Sequence, residues 1–354
     1  MKYVYKIVLI GCGYMGRSHL EGIQNNPRIH VIGVVDTDLE KAKQTAQEYH
    51  VTKWSDNYYD FINNSEVDIA IICTYPNTHF EIAKSFMDCG IHVICEKPIS
   101  NNLKDAKKFF DYAMHCKDKI IFGHILRYNT TYLKVYKMIR DGAIGSPLVF
   151  RLSQLKYVGD NKETFANLLN SSSPIIDCGV HYFDVMRWFT GSDAVSFSGI
   201  GQCLDPDIAS STYNYGIVTI QFNDGSVGYY ESGWSKSLAN DSTKEFIGPK
   251  GRIKIIYQNQ RTENKEKGNL IIYQNNESGT TVQIDVEYDG KPVNNQLNHF
   301  IEMIEQDIDH RPFLEDVYRA MQEVTLAHRA ICENRTFYTL DGYKKIQWDP
   351  SCVL

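Results

Sequence analysis

Several features common in other protein classes are missing from this 354-residue sequence. It has no Cys-x-x-Cys pair, no apolar run near the ~18 residues that a membrane span requires, and no long run of basic residues. The net charge is −6, which also argues against a nucleic-acid-binding protein. We therefore expect neither a membrane nor a nucleic acid as a partner.

The nine cysteines lack paired spacing, and several lie inside apolar runs. This usage is typical of reduced thiols that behave as small hydrophobic residues. The chain enters its first predicted strand almost at once, which leaves no room for a signal peptide. We therefore expect a cytoplasmic protein. Cys178 lies near the active site predicted below, but no partner residue suggests a nucleophile or a metal site there.

A strand, a glycine turn and a helix follow one another at the start of the chain. Four apolar residues, Ile7–Ile10, predict a strand buried on both faces, and Gly11-x-Gly13-x-x-Gly16 precedes a helix-like run over 17–25. Gly11 allows a tight turn, Gly13 lets the backbone approach a pyrophosphate, and Gly16 lets the helix lie close to the strand. The N–H groups at the helix start would then face the phosphates. Ordinary turns also contain this spacing, so the motif is weak by itself.

An acidic residue at the end of the second strand strengthens the prediction of dinucleotide binding. The apolar run His30–Val35 ends in Asp36, twenty residues past Gly16, where a carboxylate can accept hydrogen bonds from both ribose hydroxyls of an adenosine. Asp36 favours NAD over NADP, because a 2′-phosphate would meet its negative charge. The next two residues, Thr37-Asp38, offer no arginine to receive that phosphate.

The chain divides into two predicted domains. Its composition, 43% hydrophobic and 23% charged, is ordinary for a globular protein. Over residues 1–125 buried strands alternate with helices, which predicts an α/β, doubly wound parallel sheet and a Rossmann dinucleotide-binding domain. Over residues 126–354 long alternating strands and turns such as Asn223-Asp224-Gly225 predict an α+β domain with a large, mainly antiparallel, open-faced sheet.

A lysine follows the strand predicted over 91–95, in Glu96-Lys97-Pro98. Ligands bind open α/β sheets at this carboxyl edge, beside the predicted nicotinamide end of the cofactor. Pro98 restricts Lys97 to an extended conformation, so its side chain is aimed rather than left mobile. The alternative is a solvated lysine in a loop.

A second group of candidate residues lies in a helix predicted over 174–189, with Ser173 as N-cap. The spacing of four places Asp177 and His181 on one helix face, and Asp184 shares that side. A carboxylate that orients an imidazole suits proton transfer from an alcohol. The alternatives are a capping carboxylate for Asp177 and a hydrogen-bonded core histidine for His181. The segment offers too few ligands for a metal, so we expect none.

Together these residues resemble the glucose–fructose oxidoreductase / inositol dehydrogenase / MocA (Gfo/Idh/MocA) family. The resemblance covers essentially the whole chain, and the combination of motifs is far more specific than the glycine turn alone. The matching elements are Gly11-Cys-Gly-Tyr-Met-Gly16 with His19, Thr74-Tyr-Pro-Asn77 with His79, Glu96-Lys97-Pro98, Arg127, Gly142-Ala-Ile-Gly145, and Asp177-x-Gly179-x-His181-x-x-Asp184 with Arg187-Trp188.

The resemblance implies a role for each matching residue. It implies Lys97, Asp177 and His181 as the catalytic set, and Arg127 and Asp184 as residues that can touch a polyol substrate. Trp234 is either a sugar-stacking residue or a core residue. The expected cofactor-binding residues are Gly11, Gly13, Tyr14, Met15, Gly16, Asp36, Thr74, Tyr75, Pro76, Asn77, His79, Glu96 and Lys97.

The sequence thus predicts an NAD-dependent oxidoreductase that moves a hydride between a secondary hydroxyl of a sugar, cyclitol or sugar derivative and the nicotinamide. One alternative is a relative that retains NAD and cleaves a glycosidic bond through transient oxidation. Another is a non-enzymatic dinucleotide or sugar sensor, which would not need Lys97, Asp177 and His181 together.

An assembly is predicted as well. The resemblance implies that the open sheet of the second domain mediates oligomerisation, so we expect a homodimer or homotetramer. From the alternation of residues, Val218, Ile220 and Phe222 would supply an apolar face on that sheet.

Overall fold

The computed structural model describes residues 3–62, 66–159, 169, 172–205, 212–288 and 290–339. The chain forms two compact units. The first contains Met1–Tyr128 and Gly290–Arg319, and the second contains Asn129–Asp289 and Ala320–Leu354. The structure thus groups 290–319 with the first unit, whereas the pattern of the sequence placed this segment with the second domain.

The first unit is built on a six-stranded parallel sheet, as predicted. The strand order is β3-β2-β1-β4-β5-β6. Its strands are β1 Tyr5–Ile10, β2 Ile29–Val35, β3 Lys53–Ser55, β4 Ile69–Ile72, β5 His92–Cys95 and β6 Ile120–Phe122. Its first helices are α1 Tyr14–Ile23, α2 Leu39–Glu48, α3 Tyr59–Ile62, α4 His79–Met87 and α5 Leu103–His115. The short elements β3 and α3 were not predicted.

The central strands of this sheet are buried on both faces. Ile7 and Leu9 in β1 and Ile69 and Ile71 in β4 are each at most 1% exposed. Such burial explains why these strands appear in the sequence as continuous apolar runs rather than as alternating patterns. The carboxyl ends of β1, β4 and β5 consequently lie side by side at one edge, where the candidate residues follow.

The segment 290–319 adds a helix to the first unit. Helix α9, Val293–Glu305, places Val293, Leu297 and Phe300 in the same buried cluster as β1 and α1. Asn26 at the end of α1 donates to Asn294 and Asn298 side chains at 2.8 and 2.9 Å. Helical periodicity over this segment predicts a helix but carries no information about which of two cores receives its apolar face.

The second unit contains a mixed sheet that is mainly antiparallel, as predicted. Among the described residues it has nine strands in the order β14-β13-β12-β11-β7-β10-β9-β8-β15, and only β7 and β10 pair in parallel. Its strands are β7 Val149–Tyr157, β8 Ala194–Gln202, β9 Tyr215–Phe222, β10 Val227–Ser235, β11 Lys244–Gly248, β12 Gly251–Ile256, β13 Asn269–Asn275, β14 Thr281–Val286 and β15 Phe337–Tyr338.

The helix predicted over 174–189 is interrupted. The described helices of this unit are α6 Thr130–Arg140, α7 Pro174–Asp177 and α8 Gly179–Thr190, and α10 Arg311–Cys332 begins in the first unit and ends in the second. Cys178 lies between α7 and α8, where the His181 N–H donates to the Cys178 carbonyl three residues back rather than four. The prediction of one continuous helix over 174–189 is therefore wrong: Asp177 ends α7, and His181 lies in the first turn of α8.

The predicted apolar face of the second sheet is also corrected. Val218, Ile220 and Phe222 are 0, 1 and 4% exposed, so they belong to the core. Gly228, which pairs with Ile220 in the neighbouring strand, lies under Met186 of α8. Alternation showed correctly that these three residues share a face, but helices cover that face. The opposite face carries Thr219 and Gln221.

None of the helices in the described ranges is both long enough and apolar enough to cross a membrane.

We predict that Gly22→Ala destabilises the protein because α9 packs against α1. A Cβ at Gly22 would lie 2.3 Å from Val293 Cγ2, and valine is stiff at χ1. The strain, about 1–3 kcal/mol, should exceed the ~1 kcal/mol that alanine gains in helix propensity. In urea unfolding, the double variant Gly22→Ala/Val293→Ala should lose at least ~1 kcal/mol less than the sum of the single losses. Strict additivity would show that the two residues do not touch.

Candidate active site

The glycine turn forms a cradle for an anion at the start of α1. Gly11 has a φ of +96°, and a Cβ at Gly16 would lie 1.9 Å from the Gly11 carbonyl oxygen. Gly13 is the N-cap of α1, makes no side-chain cap bond, and leaves open space where a Cβ would stand. No acidic residue lies in the first turn of α1. The first N–H groups of the helix are thus available to a phosphate, and the residues present fit a dinucleotide.

Asp36 is held at the end of β2 by the turn itself. Its carboxylate accepts the Cys12 N–H at 2.8 Å and the Asp38 N–H at 3.1 Å, and Lys41 Nζ lies 3.0 Å away. Burial alone would raise the pKa of Asp36, but the hydrogen bonds from Lys41, Asp38 and Cys12 outweigh it and hold that pKa below its usual value. The ionised carboxylate retains lone pairs for a ribose. Lys41 was not predicted, although its place in the first turn of α2 was a signal.

His79 is buried between two backbone carbonyl oxygens. Its side chain is 0% exposed, and its ring nitrogens lie 3.1 Å from the carbonyl oxygens of Thr74 and Pro98. Burial lowers the pKa of His79 although these hydrogen bonds oppose the shift. In its neutral form the ring donates to only one of these carbonyls, and it packs between the loop after β4 and the loop after β5. Tyr75 and Tyr14, in contrast, are 76 and 78% exposed.

Glu96 and His19 form a buried pair that fixes the backbone at Lys97. His19 Nε2 and Glu96 Oε1 are 2.8 Å apart, and Glu96 Oε2 accepts the Lys97 N–H at 3.2 Å. Burial would raise the pKa of Glu96, but His19 and Lys97 outweigh it and keep the pKa low. Gly123 makes room for this carboxylate, since a Cβ there would lie 2.7 Å from it. Glu96 therefore positions Lys97, which is half-buried.

Cys73 brings a thiol to the same pair, and its ligand atom lies within 4.8 Å of those of His19 and Glu96. These are residue types that bind metals, and the sequence did not predict their proximity. Burial raises the pKa of the Cys73 thiol well above its ordinary value, and the Glu96 carboxylate already accepts the two hydrogen bonds described above. The Cys73 thiol thus lies beside the His19–Glu96 pair, whose hydrogen bonds position the Lys97 backbone.

Arg127 lies in the short 3₁₀ helix Ile125–Tyr128. Its guanidinium donates to Asp316 at 2.9 Å and stands 5.7 Å from the ring centroid of Phe313. Both partners belong to the segment 290–319. The partners of Arg127 could not be predicted because they lie almost two hundred residues away in sequence.

In the second unit, the start of α7 is anchored to the sheet. Ser173 caps α7 by accepting the Ile176 N–H at 3.2 Å, and Tyr213 donates to the Ser173 hydroxyl at 3.0 Å. Tyr213 also lies 2.8 Å from His328 Nδ1 on α10. The predicted N-cap is thus present. It holds the short helix that ends at Asp177.

The predicted residues of the second unit differ in exposure. Asp177 and His181 are half-buried, and the Cys178 thiol donates to the Asp177 carboxylate at 3.6 Å. Asp184 and Trp234 are each 1% exposed. Such burial of the indole favours the packing role for Trp234 over sugar stacking.

Lys244, which was not a candidate from the sequence, lies beside Tyr182 of α8. Its side chain is 0% exposed and donates to Ser242 Oγ at 2.6 Å, to the Thr243 carbonyl at 3.1 Å and to the Ser153 carbonyl. The ammonium stands 4.4 Å from the ring centroid of Tyr182. Burial lowers the pKa of Lys244 to about 7, although Cys178 acts in the opposite direction. Its strand, β11, was not predicted because a lysine occupies a core position.

The structure therefore brings together, within the first unit, the glycine turn, Asp36 and the loops that carry Thr74 and Lys97. Within the second unit it brings Asp177 and His181 to the junction of two helices. These features define a class, the oxidoreductases that bind a nicotinamide dinucleotide on a Rossmann sheet.

Family models agree with this class. Residues 5–124 match the model described as oxidoreductase family, NAD-binding Rossmann fold, and residues 132–254 match the GFO/IDH/MocA C-terminal domain. The chain belongs to the Gfo/Idh/MocA oxidoreductase family, and its cofactor is NAD.

Curated relatives are similar over most of the chain. The protein is 25% identical over 259 residues to scyllo-inositol 2-dehydrogenase (NAD(+)) of Bacillus subtilis, covering 72% of this chain and 75% of that protein. It is 24% identical over 251 residues to myo-inositol 2-dehydrogenase of Thermotoga maritima, covering 70 and 74%.

Solved structures share the fold. Scyllo-inositol dehydrogenase from Lactobacillus casei, with bound NAD(H) and scyllo-inositol, superimposes with a TM-score of 0.78 at 20% identity, covering 95% of this chain and 99% of that one. Aldose-aldose oxidoreductase from Caulobacter crescentus, complexed with glycerol, gives a TM-score of 0.81 at 20% identity, covering 95 and 100%.

We predict that Asp36 makes this protein prefer NAD over NADP by at least about tenfold in kcat/KM, or ~1.4 kcal/mol. Replacing Asp36 with serine and Thr37 with arginine should narrow or reverse the preference, because Lys41 then loses its carboxylate partner and can face a 2′-phosphate. Steady-state kinetics with both cofactors measures this. Equal use of both by the unmodified protein would show that Asp36 does not face the ribose.

Proposed function

We propose that this protein is a dehydrogenase of a cyclitol or a related sugar, and that it oxidises a secondary hydroxyl with NAD. The proposal depends on one observation: hydrogen bonds fix the backbone of Lys97. We call this arrangement the clamp on Lys97. A buried carboxylate, itself paired with His19, holds the backbone of a lysine at the carboxyl edge of the Rossmann sheet. A solvated surface lysine would not require such a clamp, so the clamp supports a catalytic position for Lys97.

The substrate class is supported by the relatives. Two curated relatives, both about 25% identical, are inositol dehydrogenases, and a structural neighbour holds scyllo-inositol. Arg127 and Asp184 are proposed to contact the polyol. Arg127 is paired with Asp316, so it would make its contact as a fixed side chain, whereas Asp184, which is 1% exposed, would need a local rearrangement to reach a ligand.

Each proposed catalytic residue has one role. Bound NAD supplies the acceptor for the hydrogen on the alcohol carbon. His181 accepts the hydroxyl proton, and Asp177 orients the imidazole and stabilises its charge. Lys97 donates a hydrogen bond to the same oxygen as negative charge develops on it.

Turnover of a panel of cyclitols and sugars, followed as NADH absorbance, tests this function. With the substrate found, Lys97→Ala should lower kcat by two or more orders of magnitude, since one donor to a developing oxyanion is worth roughly 2.7–4 kcal/mol. His181→Ala should lower it by about 10²–10⁴-fold and remove the acidic limb of the pH profile for kcat/KM. The double variant should be little worse than the poorer single variant, because both residues act on one oxygen.

Two controls make the outcome specific. Lys104→Ala, at an exposed lysine early in α5, should leave kcat unchanged. NADH affinity, measured by fluorescence, should change only a few-fold in the Lys97 and His181 variants. Near-normal turnover by Lys97→Ala would show that Lys97 takes no part in the reaction. NAD that stays bound through gel filtration, with no polyol giving net NADH, would instead favour the glycosidase-type reaction.

We further propose that a second copy of the chain covers the sheet face opposite the helices, and that the protein is cytoplasmic. Three apolar side chains on that face are 39, 66 and 40% exposed, namely Val149, Ile200 and Val227. Val149 and Val227 are direct neighbours in register. The rest of the face is not purely apolar, because Glu245 pairs there with Arg151 at 2.7 Å and Arg252 at 3.3 Å.

Sedimentation at micromolar concentration should therefore give about two or four times the chain mass of 40.6 kDa. Val227→Asp should shift the protein toward the monomer, since it would bury a charge in the interface. Leu133→Asp, at a 44% exposed position on α6, serves as the control and should not. A monomeric unmodified protein would rule out the assembly.

A further inference from the structure

The cofactor residues expected from the sequence all lie before residue 98. One further cation, Lys291 of the segment 290–319, lies against the start of α1, next to the glycine turn. Lys291 precedes α9 and belongs to the first unit. Its Nζ lies 3.0 Å from Met15 Sδ, 3.2 Å from Ser18 Oγ and 4.0 Å from the ring centroid of Tyr14. All three partners are in the first and second turns of α1, directly after Gly13.

This position is electrostatically unfavourable for a cation without an anion nearby. The start of a helix carries a partial positive charge, so a neighbouring ammonium is destabilised by repulsion from it. Among the residues that the structure describes, no carboxylate oxygen forms an ion pair with Lys291, whereas Lys41 of the same unit pairs with Asp36. The first turn of α1 also lacks an acidic residue that could compensate.

The contacts that Lys291 does make do not account for its position. The attraction of a cation to an exposed aromatic ring is similar in size to its repulsion from a helix start, so the two contributions nearly cancel. The thioether of Met15 is a weak acceptor and the hydroxyl of Ser18 is a neutral one, so neither neutralises the charge of the ammonium. The ammonium therefore lies beside side chains of the same helix start that presents unpaired N–H groups, and one anion bound there would satisfy both.

We propose that Lys291 binds the pyrophosphate of the dinucleotide, as a charged partner to the backbone N–H groups of the glycine turn. The inference rests on the cofactor and not on the identity of the substrate. It adds to the binding site a residue that lies more than 270 positions from the glycine turn in sequence, at the point where the chain re-enters the first unit.

Binding of NADH, ADP-ribose and adenosine to Lys291→Met tests the proposal without turnover. Methionine keeps the apolar stem against Tyr14 and removes only the charge. We expect NADH and ADP-ribose, which carry the pyrophosphate, to bind about 5- to 20-fold more weakly by fluorescence titration and calorimetry. Adenosine, which lacks it, should bind as tightly as before.

Two variants and a salt series complete the test. Lys291→Arg should retain affinity within about threefold, and Lys107→Met, on exposed α5 beside Asp111, should match the unmodified protein. The difference between Lys291→Met and the unmodified protein should shrink between about 50 and 500 mM salt, because screening weakens a charge contact.

A Lys291→Met variant that binds ADP-ribose within twofold of the unmodified protein would overturn the proposal. An equal loss for adenosine would overturn it too, since that result would show general damage to the site. Because no substrate is present in these measurements, failure to find an oxidisable polyol would leave the result for Lys291 standing.

Discussion

The approach of Gly16 to the carbonyl oxygen of Gly11 is the contact on which the cofactor site depends. A Cβ at Gly16 would lie 1.9 Å from that oxygen, so any side chain there would push α1 away from β1. Gly11 makes a second close approach, since its own Cβ would lie 2.5 Å from the Cys73 carbonyl oxygen. These two contacts set the start of α1 at the edge of the sheet, between the ends of β1 and β4. The demand for an anion at that place follows from the unpaired N–H groups of the helix.

The carboxylates around this turn accept hydrogen bonds from backbone N–H groups and so fix the backbone; they do not only form ion pairs at the surface. Asp36 accepts the Cys12 N–H, and Glu96 accepts the Lys97 N–H. A carboxylate that is 6% exposed, as Glu96 is, persists in ionised form only with such donors, because desolvation would otherwise neutralise it. The buried histidines His19 and His79 serve the same purpose. They contact the loops that carry Lys97, Thr74 and Tyr75.

The second unit illustrates where pattern reasoning fails. Alternation over β9 identified Val218, Ile220 and Phe222 as one face, but a sheet has two faces, and only the packing of α8 and α10 decides which is covered. Strand β11 was also missed. Lys244 occupies a core position in it, and a charged residue there breaks the apolar alternation that predicts a strand. Its ammonium is accommodated in the core because three oxygens accept from it and Tyr182 lies over it.

The sequence by itself determined the order of the longer elements of the first unit, the parallel sheet, the glycine turn with Asp36, and the family. Each of these is encoded in local spacing: hydrophobic period, turn residues and motifs within a few positions. Tertiary structure decided what depends on contacts between distant residues. It assigned α9 to the first unit through Val293 and Asn294, paired His19 with Glu96, gave Arg127 its partner Asp316, and brought Lys291 to the turn. No local pattern carries such information, since an apolar stripe or a lone cation specifies that a partner is needed but not which of the distant residues provides it.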